Sequence, residues 1–107
     1  MTEARLRPQA ESDLVDRTRY YRTESGEDVG RRFFDAAIAA LRDIELMPGA
    51  GSSRVGELCD APGLRVRRIE GFLCGWFYFV TPSHADVVRL LGDSQDMLAI
   101  LGGTTPE

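Results

Sequence analysis

The sequence has no lysine; all thirteen of its basic residues are arginine. Arginine keeps its charge in almost any surroundings and does not shuttle protons, so chemistry through a buried amine is excluded. Cysteine is nearly as scarce. Cys59 and Cys74 are too few for a disulfide scaffold, and with no CxxC or Cys/His spacing they read as small apolar fillers, not as metal or redox ligands. No cofactor motif stands out. No apolar run reaches the length of a membrane span and no signal-like segment opens the chain, so a reducing cytoplasm is expected. Surplus positive charge is missing as well. A formal net charge of −4 argues against general or sequence-specific nucleic-acid binding, in which basic residues neutralising phosphates supply most of the affinity. With 107 residues and no internal repeat, one domain over 1–107 is expected, burying about two-thirds of its unfolded surface.

What is present centres on Leu64 to Leu91. Trp76-Phe77-Tyr78-Phe79-Val80-Thr81 is a run of aromatic and β-branched residues, suited to a pleated, buried surface. It reads as a central strand. Before it, Leu64, Val66 and Arg68 alternate with Arg65, Arg67 and Ile69, and Gly71 supplies a turn. After it, Thr81-Pro82-Ser83-His84 is a turn cluster, and Asp86 to Leu91 forms a third strand. Connections this short predict an antiparallel meander, because a parallel crossover needs a dozen or more residues. Residues 64–92 carry Arg65, Arg67, Arg68 and Arg89 against Glu70 and Asp86, so this stretch is +2 and the remainder −6.

From the start, Ala4-Arg5-Leu6-Arg7 alternates and is closed by Pro8, as in a short edge strand. A first helix opens at Pro8 or Glu11-Ser12, with Ala10, Leu14, Arg17/Thr18 and Tyr21 along one side. Glu24 to Glu27 breaks it. A second helix from Asp28 carries Val29, Phe33, Ala36/Ala37, Ala40, Ile44 and Met47, a stripe widened by Phe34, Ile38 and Leu41, and stops at Pro48-Gly49. Ala50 to Gly63 shows no period and reads as a surface loop. After the meander, Asp93 or Ser94 caps a short helix containing Met97, Ile100 and Leu101, and 103–107 reads as a flexible tail. The order is β-α-α-β-β-β-α, an α+β fold with an N-terminal helical hairpin packed on a small antiparallel sheet.

The central strand is apolar at both parities: Phe72, Trp76, Tyr78 and Val80 on one, Leu73, Phe77 and Phe79 on the other. One helical layer covers one of them. The other is expected to form an apolar patch rimmed by arginine, a surface suited to a partner. Trp76 and Tyr78 are then core or interface aromatics, and Arg65, Arg67, Arg68 and Arg89 are either carboxylate-pairing contacts or a solvated face.

Taken in order, several pieces resemble the ParE/RelE superfamily of type II toxin–antitoxin toxins, and its ParE branch most closely. They are Leu6-Arg7-Pro8-Gln9-Ala10-Glu11-Ser12-Asp13-Leu14, the Tyr20-Tyr21 pair, Ile44 to Gly51 with its Pro48-Gly49, Gly63-Leu64-Arg65, Phe77-Tyr78, and Val87-Val88-Arg89-Leu90-Leu91 with Asp96 and Ile100-Leu101. The resemblance implies a cytoplasmic toxin held silent in a hetero-oligomer by a ParD-like antitoxin that fills a groove or adds a strand. It also implies one of two activities. The RelE-like branch cuts messenger RNA on the ribosome through lysines or arginines and a C-terminal tyrosine or histidine. Here lysine is absent, Gly92 stands where many relatives have histidine, and no tyrosine, histidine or arginine follows Leu91. RNA cleavage needs one group to take the 2′-hydroxyl proton and another to protonate the leaving oxygen; the one histidine, His84, sits in the turn cluster. The ParE-like activity is inhibition of DNA gyrase by binding, with no catalytic residues, and this reading is favoured. Arg65, Arg67, Arg68, Trp76, Tyr78 and Arg89 are its expected partner-binding residues. The alternatives are a RelE-like endoribonuclease using Arg67, Arg68, Arg89 and His84, and a non-toxic relative that only binds its antitoxin.

Overall fold

Proline at a first helical turn gives up only a donor that the turn would leave idle, and Pro8 opens α1 (Pro8–Ser25) in this way. Gly26, at φ 97°, ends α1 and reverses the chain into α2 (Glu27–Leu46), so the two helices pack as a hairpin. A computed structural model describes residues 2–107. Beyond the hairpin the chain makes a 3-10 turn (Pro48–Ala50), a short helix α3 (Arg54–Leu58), three strands and a last helix α4 (Met97–Leu101). The strands are β1 (Ala4–Leu6), β2 (Arg65–Arg68), β3 (Cys74–Val80) and β4 (Ala85–Gly92), in sheet order β1-β4-β3-β2.

The α+β class and the antiparallel meander agree with the sequence reading. The sheet as a whole is mixed, because β1 lies parallel to β4, with Ala4 opposite Ala85 and Leu6 opposite Val87. A connection that passes through both helices leaves strand direction free, whereas the tight turns of the meander do not. Between Phe77 and Tyr78 the pairing slips: Arg89 faces Phe77, Val87 faces Tyr78, and Val88 is the extra residue of a β-bulge.

The hairpin covers one side of the sheet. Ala10 of α1 and Phe33, Ala37, Ala40, Leu41 and Ile44 of α2 meet Trp76, Tyr78, Val87 and Leu90, all buried. Tyr21, Phe33 and Phe72 close that layer with ring centroids 4.9–5.1 Å apart. Burying side chains of this size contributes roughly 1.5–3 kcal/mol each. Phe34 and Met47, expected on the inner stripe of α2, are instead exposed.

The other side is not bare. The segment read as a surface loop contains α3 and lays Cys59 and Ala61, with Leu64 directly after it, over Phe77, Phe79, Val88 and Leu91, while Leu101 of α4 completes the layer. Gly103 N–H donates to the Asp60 carbonyl at 2.9 Å and fastens α4 to that segment. The expected apolar patch is therefore an internal core. Asp96, not Asp93 or Ser94, caps α4 by accepting from Ala99 N–H. Both cysteines are free and buried, one in each layer, and burial pushes both thiols up.

The tail beyond Gly103 is tied down as well. Arg7 Nε and Nη2 donate to the two oxygens of buried Asp86 at 3.0 and 2.7 Å, Arg7 Nη2 also donates to the Thr105 carbonyl, and Glu107 N–H donates to Asp86 at 2.8 Å. Burial raises the Asp86 pKa, but the Arg7 fork and the Glu107 N–H outweigh it and hold the carboxyl below its ordinary value.

Candidate partner interface

Trp76 and Tyr78, two of the six expected contact residues, point into the helical layer and have no exposed surface. Trp76 Nε1 donates to the Ala37 carbonyl at 2.9 Å, which satisfies its one polar atom inside the core. The Tyr78 hydroxyl donates to the Pro48 carbonyl at 2.6 Å, and burial pushes its pKa up. A Cβ at Gly51 would fall on that hydroxyl, so glycine at this position is what lets the 50s segment close over the strand. As partner contacts these two aromatics are corrected: in the folded chain they are core.

The four arginines do not form one face. Arg65 and Arg67 lie opposite Tyr78 and Trp76, at the margin of the helical side; Arg65 Nη1 donates to the Gly49 and Gly51 carbonyls at 3.1 and 2.7 Å, and Arg67 pairs with Asp43 of α2 at 2.9 Å. Arg68 turns to Asp93 at 2.8 Å, beyond the end of β4. Arg89 makes a two-toothed contact with Asp13 of α1, at 2.8 and 3.1 Å. Asp13 also accepts from Leu90 N–H at 3.0 Å, and Gln95 accepts from Gly92 N–H at 2.7 Å, so two side chains pair the edge of β4 that short β1 leaves open. Bonds between Ser52 and Val66 do the same for part of the outer edge of β2. The only histidine is equally engaged: His84 Nδ1 lies 2.8 Å from Ser83 Oγ and 3.1 Å from Thr81 Oγ1 within one turn.

Two open grooves are the features that the sequence reading missed. One, of about 630 Å³, runs between α1 and the end of β4, with Asp13, Arg17, Tyr20, Leu73, Gly92 and Asp93 along it. Leu73 and Tyr20 stand in solvent there at 74% and 58% exposure. The other, about 470 Å³, lies between α1 and α2 beside exposed Val15 and Phe34. The sequence carries one signal for the first: Arg17 sits on the inward stripe of α1, where an unpaired charge is out of place. Among the described residues no helix is long and apolar enough to cross a membrane.

Against known proteins, a family model described as the ParE toxin of the type II toxin–antitoxin system parDE matches residues 4–97. No curated protein matches. A solved structure titled "Chromosomal ParDE TA system from P. aeruginosa" shares the fold, with a TM-score of 0.73 over 86% of this chain and 96% of that one, at 16% identity.

Proposed function

This chain belongs to the ParE toxin family of type II toxin–antitoxin systems, and we propose that it works as one toxin domain in the cytoplasm, silenced by a ParD-like antitoxin and acting on DNA gyrase by binding. The observation that carries this reading is how the arginines and the tyrosine named for a RelE-like cut are held within the chain. Arg67, Arg68 and Arg89 each serve a carboxylate of their own chain, His84 meets two turn hydroxyls through Nδ1, and Tyr78 is sealed in the core. Arg67 stands on β2 beside Asp43, Arg89 on β4 beside Asp13 of α1, and His84 in the β3–β4 turn. Acid–base cleavage of RNA needs two of them within reach of one phosphate. Binding needs only a shaped surface, which the grooves provide.

Paired assays on one preparation test the reading: gyrase supercoiling and ribosome-programmed cleavage of messenger RNA. Lost supercoiling with accumulated cleaved DNA and intact messenger is the expected result. Cut messenger with unaffected gyrase would replace it with a RelE-like activity, and inertness in both would leave an antitoxin-binding relative.

A further inference from the structure

Charges along the α1–β4 groove balance with one left over. Asp13 is held by Arg89, Asp93 by Arg68, and Asp16 more loosely by Arg19 at 3.9 Å. Arg17 is the surplus. Among the described residues it has no carboxylate partner; its Nη2 donates only to the neutral Gln95 Oε1 at 2.9 Å, and its Nε is shut off from solvent with no acceptor at all. The guanidinium rests against Gly92, where a Cβ would come within 3.1 Å of Nη2. An unmet donor on a partly buried cation carries a desolvation cost, and turning the group outward to a carboxylate would remove that cost while making a two-toothed, charge-assisted pair.

We propose that this groove seats a segment of the antitoxin that presents one aspartate or glutamate to Arg17 and apolar side chains to Leu73 and Tyr20. The carboxylate follows from the surplus cation, and the apolar neighbours follow from two large side chains left in water at its rim. A nucleic acid fits poorly, because its successive phosphates would be drawn past Asp13, Asp16 and Asp93. That the partner is the antitoxin rests on the function proposed above; that the groove takes an acidic, apolar protein segment does not.

The test selects short random peptides on the full chain, resynthesises the binders with capped ends, and titrates them into the ¹⁵N-labelled protein while following the Arg17 Nε–Hε signal. Expected are peptides with an acidic residue among apolar ones, a shift of that signal, and about tenfold weaker binding to Arg17→Gln and to each peptide's Glu→Gln or Asp→Asn copy. Leu73→Ser, at a site 74% exposed, is expected to weaken binding as well. Peptides that bind folded Arg17→Gln and Leu73→Ser as tightly as the parent, failure to select any, or displacement of the peptide by oligothymidylate would each overturn the proposal. If the chain is inert on gyrase and messenger while acidic peptides still bind through Arg17, the toxin reading falls and the groove stands. If gyrase is inhibited and the peptides ignore Arg17, the reverse holds.

Discussion

The two sides of the sheet are covered by different kinds of structure. On one, two helices of 18 and 20 residues bring an evenly spaced apolar stripe, and their partners Trp76 and Tyr78 sit beneath with both polar atoms bonded. On the other, an irregular segment and two five-residue helices cover Phe77 and Phe79 with small groups such as Cys59 and Ala61. Both layers exclude water; only the first announces itself by periodicity. An aperiodic stretch can be as buried as a helix when its apolar residues are spaced to suit one surface instead of one repeat.

Four measurements would break or sharpen that contrast. Trp76→Ala removes the largest side chain of the helical layer together with its bond to the Ala37 carbonyl, so a loss of ~3–5 kcal/mol is expected in chemical denaturation. Phe79→Ala asks whether the thin layer is equally committed: about 3 kcal/mol is expected, and a loss below ~1 kcal/mol would show that face to be an open surface instead of a core.

Asp86→Asn comes third. It strips the Arg7 fork and the tail of their shared anion, for an expected loss of about 2–3 kcal/mol. Its pH dependence carries a definite sign. The carboxyl titrates lower folded than unfolded, so its contribution is present above the unfolded value near ~3.9 and is lost as pH falls through the folded value. Melting temperature of the parent should therefore drop in acid more steeply than that of Asp86→Asn. Smallest is the Arg67–Asp43 pair, with both partners near half exposed: a double-mutant cycle should return less than ~1 kcal/mol, and a larger coupling would make β2 a structural strut.

The hairpin, its stop at Pro48 and the three-strand meander were legible because each rests on a local rule of spacing or turn chemistry. Family membership was legible too, through pieces of sequence in order. The second layer was not, since Cys59 and Ala61 follow no period. Nor was the pairing of the arginines, which depends on carboxylates distant in sequence: Asp43 for Arg67, Asp93 for Arg68, Asp13 for Arg89. The bulge left a trace that the reading passed over. In Val87-Val88-Arg89-Leu90-Leu91 apolar residues come in pairs around a charge, which strict alternation does not allow, and the extra residue Val88 is what lets Val87 and Leu90 face the helices while Val88 and Leu91 face away.

The clasp at Asp86 has a consequence for the order of events during synthesis. β1 leaves the ribosome before the other strands, yet its neighbour in the sheet is β4, and Arg7 shares its carboxylate with the backbone of Glu107. Until β4 and Glu107 emerge, the nascent chain holds a hairpin and a growing meander with no seat for β1. β1 is thus made early and placed late, and its side of the sheet is finished only after β4 and Glu107 have been made.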